Sequence, residues 1–362
     1  GHTRHNSVST FATCHTKRIY LRIANFATNL LVMKTPPDSV AHLDFVAGIP
    51  TLDLSHFTHG TVEQRQTFVN DLGAAYRSVG FAAISGHGVA PSVIEDMYSE
   101  AEAFFALSPE IKMKHEHPEH NRQRGYVSFG TEHAKGSNAA DLKEFWQVGQ
   151  TNIPEGADLN NYPPNAQVIE RPELASQADT LYKSLENVGR QMLRAIALHL
   201  ELDEDYFEEY VPGGNSILRL IHYPPITAAP DSSVRAGQHE DINLITLLVG
   251  ASADGLEVMD KEGVWTAVKA LPEHLVVNVG DMLQRLTNHE LKSTTHRVVN
   301  PPKELWGQSR FSMPFFCHPV PSMNLAALPQ CVKHGQTAMD PATTAGQYLS
   351  ERLREIGLSQ EK

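Results

Sequence analysis

Residues 238–250 read QHEDINLITLLVG, and the fold turns on how this stretch is taken. From Ile242 to Gly250 it is apolar, rich in Ile, Leu and Val, and too short for a core helix, so it reads as a buried strand. It is one of a series. Similar β-type runs occupy 216–223, 242–250, 255–259, 264–268, 275–279, 294–299 and 309–317, separated by turn residues. Strands at such spacing suggest a sandwich or barrel.

Upstream of Gly213-Gly214 the texture is helical. Residues 172–200 place Leu181, Leu185, Val188, Met192, Ile196 and Leu200 at steps of three or four, which predicts a long amphipathic helix. Shorter helices are expected over Val62–Val79, where Phe68, Leu72, Ala75, Tyr76 and Val79 share a face, and over Pro91–Leu107. Strands are expected at 49–56 and Phe81–Ser85. The polar region His115–Pro164 reads as long loops around a strand near Leu142–Val148, and a last helix covers about 342–356. Helices followed by a strand-rich half predict an α+β fold built round a β-barrel. The expected organisation is an N-terminal extension (1–45), a helical leader region with pocket loops (46–165), and the long helix, barrel core and C-terminal helix (166–362), the last two forming one unit.

Composition narrows the function. With 41% apolar residues in 362 the chain can bury a full core. A net charge of −12 argues against a phosphate-backbone partner, so no nucleic acid is expected. Cys14, Cys317 and Cys331 lie far apart and form no C-x-x-C pair, which suits a reducing compartment, with the cytoplasm as the expected location. No apolar run reaches the ~18 residues of a membrane span; the best, Ile19–Met33, is broken by Arg22, Asn25, Thr28 and Asn29. The first 37 residues carry no Asp or Glu and are rich in Ser and Thr. They read as an organellar transit peptide or, in the reading preferred here, an upstream extension with Met33 as the start. The oligomeric state has no signature in the sequence.

The chemistry lies in three pieces. In extended chain, residues two apart share a face about 6.7 Å apart, so His239 and Asp241 can grip one metal while Glu240 points away. His296 follows 55 residues after Asp241, at the start of another β-type run. Two histidines and one carboxylate on one face of a metal leave positions open, as in the facial triad of non-haem iron(II) oxygenases. Arg310 and Ser312, from 14 residues further on, would share a strand face and could hold a carboxylate between a guanidinium fork and a hydroxyl. Alone, each piece has an ordinary structural reading; their order and spacing make the case. Other motifs do not compete. KHEHPEH (114–120) is a proline-containing polar loop, HELKS (289–293) has Ser where a zincin needs its second His, and no Walker A or G-x-G-x-x-G occurs.

Most of residues 49–320 resembles the isopenicillin-N-synthase-like branch of the 2-oxoglutarate/iron(II) oxygenases. IPTLDLS and GFAAISGHGV resemble the leader, LRLIHYPP, QHEDINLITLL and NVGDMLQRLTNHELKSTTHRVVNP the core strands and metal motif, and RFSMPFF the carboxylate clamp. The resemblance implies a double-stranded β-helix, or jelly roll, flanked by helices. It implies Fe(II) on His239, Asp241 and His296, and 2-oxoglutarate as co-substrate on Arg310 and Ser312, with Tyr223 assisting. It also implies dioxygen and a small-molecule substrate that is hydroxylated or desaturated, with release of succinate and CO2. One departure stands out: Ile221 occupies a position where many relatives have an Asn that assists the co-substrate. Phe129, Phe145, Trp146, Gln238, Phe315 and Phe316 are candidates for the substrate pocket, and Arg235 for an acidic substrate or for water. Two rival readings stay open at this point: an oxidase of the isopenicillin-N-synthase type that needs no keto acid, and a barrel that binds a metal or ligand without turnover.

Every motif lies beyond residue 48. A chain lacking residues 1–32 is therefore expected to bind Fe(II) as the full chain does, by anaerobic titration; a truncated protein that fails to fold would place those residues in the catalytic unit.

Overall fold

The computed structural model describes residues 40–358 other than 47, 137–138, 231, 251–253 and 270. The reading of the first 37 residues lies outside the described residues.

In chain order the strands are β1 (Phe45–Val46), β2 (Ile49–Asp53), β3 (Phe81–Ser85), β4 (Gly125–Val127), β5 (Glu144–Gly149), β6 (Ile217–Tyr223), β7 (Ala236–His239), β8 (Ile245–Val249), β9 (Leu256–Met259), β10 (Trp265–Val268), β11 (Leu275–Val279), β12 (His296–Val298) and β13 (Arg310–Cys317). They form two sheets. The larger runs β1-β2-β3-β11-β8-β13-β6-β5-β4 and the smaller β10-β9-β12-β7. The core is a jelly roll and the fold class is α+β, as the sequence predicts.

Both faces of the larger sheet are covered, and alternation sorts its residues between them. From β6, β8 and β13 the residues Leu218, Leu220, Ile245, Leu247, Val249, Met313, Phe315 and Cys317 join one buried cluster with Leu181, Leu185, Val188 and Met192 of the 27-residue helix Glu173–His199. The Tyr182 and Phe315 rings meet edge-on at 5.0 Å. The alternate residues Arg219, Ile221, Tyr223, Thr246, Arg310, Ser312 and Phe316 line a pocket on the other face. The long helix therefore serves the site indirectly, by holding the strands whose other face carries the chemistry. The leader helix Val62–Ser78 starts in a capping box between Thr61 and Gln64, and the helix Pro91–Phe105 starts on a proline. The C-terminal helix Ala345–Glu355 lies at the pocket, where Leu349, Arg352 and Leu353 line it. Tyr348 Oη ties it to the barrel by donating to Asp281 Oδ2 at 2.8 Å.

The sequence reading needs correction at several points. The strand expected over 49–56 stops at Asp53, whose carboxylate accepts the Ser55 N–H at 2.9 Å and turns the chain into the short helix Ser55–Thr58. The strand expected from Ile242 starts at Ile245, and His239 lies on a separate strand, β7, of the other sheet. The polar region 115–164 holds a second strand, β4, paired with β5. The helix Asp281–Leu286 was not foreseen, because six residues are too few to show a helical period.

Leu247 is fully buried between sheet and long helix. Leu247→Ala should destabilise the fold by about 2–5 kcal/mol, seen as a lower urea midpoint. A change below about 0.5 kcal/mol would contradict this packing.

Candidate active site

β7 and β12 are antiparallel neighbours, and His239 pairs directly with His296 across them. Their rings stand 4.3 Å apart, centroid to centroid. Asp241 follows two residues after His239, where the chain leaves the smaller sheet for β8 of the larger one. Glu240 swings aside and accepts the Thr295 hydroxyl at 2.9 Å. The three ligand-capable atoms lie within 4.8 Å of one another.

Hydrogen bonding fixes how the rings are presented. His239 Nδ1 contacts the Gly237 carbonyl at 2.7 Å, and His296 Nδ1 the Thr294 carbonyl at 3.0 Å. A carbonyl only accepts, so each Nδ1 carries the hydrogen, and in the neutral ring Nε2 is left as a lone pair. Those Nε2 atoms face Asp241 Oδ1 at 3.7 and 3.6 Å. Burial, then the neighbouring His296, holds His239 down to about 4, so it is neutral at pH 7. Burial pushes the Asp241 carboxyl upward, but His296 and His239, then hydrogen bonds from Asn278 and Thr246, outweigh it and keep the group below the usual range. Two ring nitrogens and one carboxylate oxygen thus converge. That arrangement is what a cation site requires.

Arg310, Ser312 and Tyr223 line the same pocket as this trio. Arg310 pairs with Tyr223, and Ser312 with Ile221, across β13 and β6. Arg310 is 2% exposed, and its guanidinium sits 5.0 Å above the Tyr223 ring. Arg235, expected against an acidic substrate or in water, is buried instead. It donates to the Gln308 carbonyl at 2.9 Å, and burial and the Arg310 charge bring it down to about 10. Two guanidiniums close to Tyr223 make this end of the pocket attractive to an anion.

Another part of the pocket wall carries a charge cluster. Lys143 Nζ lies 2.6 Å from Glu132 and 2.9 Å from Asp141, and Arg219 donates to Glu132 at 3.0 Å and to Gln147 at 3.1 Å. Burial would raise Glu132, but Arg219 and Lys143 hold it at about 2. Asp141 in turn accepts the Gly237 N–H at 2.8 Å, which fastens the loop before β5 to the strand that ends in His239. Of the aromatic and polar pocket candidates read from sequence, Phe316 lines the pocket. Phe129 is exposed and Gln238 faces out, whereas Trp146 and Phe315 belong to the core on the other sheet face and Phe145 is buried under Arg219. The sequence reading missed Arg219, Lys143, Glu132 and His318; Arg219 carried a signal, being four residues before Tyr223 on one strand and hence on its face.

Comparison with known proteins points to the class of chemistry. The model of the 2OG-Fe(II) oxygenase superfamily matches residues 214–319, and that described as "non-haem dioxygenase in morphine synthesis N-terminal" matches 49–168. The 2-oxoglutarate-Fe(II) type oxidoreductase ppzD of Metarhizium majus is 31% identical, covering 87% of this chain and 98% of that protein. The 2-oxoglutarate-dependent dioxygenase htyE of Aspergillus rugulosus is 33% identical, over 80% of this chain and 92% of that protein. Among solved structures, a 2OG-Fe(II) oxygenase family protein of Caulobacter crescentus superposes with a TM-score of 0.76 at 40% identity, covering 86% of this chain and 99% of that one. A full-length Neurospora crassa protein solved in complex with alpha-KG gives 0.75 at 29% identity, over 84% and 96%. Jelly-roll core, histidine–aspartate site and relatives together define a non-haem iron oxygenase. The chain belongs to the 2-oxoglutarate/Fe(II) dioxygenase superfamily, in its isopenicillin-N-synthase-like branch. It is an Fe(II)- and 2-oxoglutarate-dependent oxygenase, which overtakes the keto-acid-free and non-catalytic readings.

His318, 7% exposed, also lines the pocket, and burial holds it down to about 4. An unfolded chain binds that proton near pH 6.5, so the unfolded state carries more protons below it, and stability falls as pH drops from about 6.5 towards 4. Between pH 7 and 5, metal-free His318→Gln should therefore lose roughly 1–2 kcal/mol less than the parent in denaturant unfolding. Equal losses would contradict the buried neutral imidazole.

Proposed function

We propose that His239, Asp241 and His296 hold the iron, and that Arg310 and Ser312, with Tyr223 beside them, receive the distal carboxylate of 2-oxoglutarate. The observation that carries this is the convergence of two imidazole Nε2 atoms and Asp241 Oδ1, with Nδ1 of both rings tied to backbone carbonyls. Two nitrogens and one carboxylate oxygen on one side suit non-haem iron(II). When bound, the iron supplies the oxidising chemistry by activating dioxygen with the keto acid.

The chain's own residues supply position and environment. Arg310 provides a planar fork for a carboxylate, Ser312 a hydroxyl donor, and Tyr223 one wall. At Ile221 no amide is present to help, so binding rests more heavily on Arg310. Phe81, Ile242, Leu256 and Phe316 keep the walls near the metal trio apolar, which limits water there.

The substrate in this reading is a small molecule that enters the pocket beside the charge cluster, and it is hydroxylated or desaturated. The relatives' names support small molecules in general. One is a proline hydroxylase, buaE of Petromyces alliaceus, and the Neurospora crassa protein has also been solved with alpha-KG and thymine. The net charge of −12 favours a small molecule over nucleic acid. No helix among the described residues is long and apolar enough to cross a membrane. The free cysteines Cys317 and Cys331 fit work in a reducing compartment such as the cytoplasm.

The co-substrate role is tested by titrating 2-oxoglutarate into anaerobic, iron-loaded protein and following the metal-to-ligand charge-transfer absorbance. Loss of a two-point charge-assisted contact in Arg310→Ala should cost about 1.5–3 kcal/mol, or roughly 10- to 150-fold in affinity. Arg310→Lys should also be impaired, and Ser312→Ala should cost about 1 kcal/mol. Iron affinity should hold in all three. Unchanged 2-oxoglutarate affinity in Arg310→Ala would move the clamp elsewhere.

A further inference from the structure

The two oxygens of Asp241 have different surroundings. Oδ2 accepts the Thr246 hydroxyl at 2.5 Å and the Asn278 amide at 2.8 Å. Both partners are 3% exposed, and they face one another as a directly paired couple across β8 and β11. Asn243, which is fully buried, donates its amide to the Thr246 oxygen at 2.9 Å. A hydroxyl has one hydrogen, so with that oxygen already accepting from Asn243 the hydrogen is directed at Asp241. Oδ1, by contrast, accepts no hydrogen bond among the described residues and faces the two imidazole Nε2 atoms. The set is also boxed in from behind. A Cβ on Gly280 would lie 2.2 Å from Asn243 Oδ1 and 2.3 Å from its carbonyl, so no side chain fits there.

We infer that Thr246 and Asn278, with Asn243 behind them, are positioning residues that hold Asp241 so that Oδ1 alone is offered to the iron. This rests on the assignment of Asp241 as a ligand. A carboxylate that turned about its Cβ–Cγ bond would swing Oδ2 towards the metal and take space that the co-substrate and dioxygen need. Two buried donors on Oδ2 oppose that turn, and the relay from Asn243 keeps the threonine hydroxyl from rotating away. A further feature favours a positioning role over mere satisfaction of a buried acid. All donors sit on the oxygen remote from the histidines, and none is spent on the oxygen that faces them.

The test uses the full chain, stripped of metal and titrated anaerobically with Fe(II). Thermal melting of the metal-free form is followed alongside. Thr246→Val keeps the shape and removes the hydroxyl; Asn278→Ala removes the other donor; Thr246→Ser restores a hydroxyl. Valine and alanine should each weaken Fe(II) binding about 10- to 100-fold, while serine stays within about threefold of the parent. Removing a donor to a buried carboxylate also lowers the metal-free melting point, so Fe(II) binding is compared where every variant is folded, and the losses should not scale with the melting points. If the parent binds Fe(II) and the valine and alanine variants bind it as tightly, the positioning role is overturned and the ligand assignment stands. If serine falls as far as valine, or the losses follow the melting point, the role is structural and the inference fails. A parent that binds no Fe(II) overturns the ligand assignment, and this inference with it.

Discussion

Two imidazole Nε2 atoms and one carboxylate oxygen, turned towards one another in a buried pocket, are the constraint on which this structure depends. Such a cluster persists because the surrounding structure over-determines it: carbonyls hold both Nδ1 hydrogens, and Thr246 and Asn278 hold the far carboxylate oxygen. The crossover of the chain from β7 to β8 follows from the same demand. His239 has to stand beside His296 in one sheet, and Asp241 has to reach donors that belong to the other.

Electrostatics divides the pocket into regions of different character. Near Tyr223, Arg310 and Arg235 are two buried cations, which suits a dicarboxylate. At the charge cluster, Lys143 and Arg219 are matched by Glu132 and Asp141, so the wall is polar yet close to neutral. Removing one member of such a buried set leaves an uncompensated charge, which is far more costly than the set itself is stabilising. The cluster is therefore better understood as a device that fixes loop and strand, through Asp141 and Gly237, than as a source of net stability.

Much of this was legible in the sequence, and the limits were physical. Alternation placed Arg310 with Ser312 on one face, and the 3.6-residue period placed the long helix, because both patterns are local. The H-x-D and distant His could be joined into one site because strand pairing brings fixed side chains to fixed places. What pairing alone does not reveal is which sheet a strand joins, so the sequence does not show that His239 and the strand after Asp241 belong to different sheets. Thr246, Asn278 and Asn243 were invisible for a similar reason: a buried Thr or Asn in a β-type run looks like any other until its partner across the ladder is known. The aromatic pocket candidates failed where adjacent residues face opposite ways, as Phe315 and Phe316 do.

The central claim is that the converging acceptors are an iron site. The most direct measurement is an anomalous difference map at the iron absorption edge, from crystals of the protein loaded anaerobically with Fe(II). The account predicts one strong peak bounded by His239 Nε2, His296 Nε2 and Asp241 Oδ1, with Oδ2 still turned to Thr246 and Asn278. A peak elsewhere, for instance at the histidine-rich loop 114–120, or no peak between these three atoms, would contradict it.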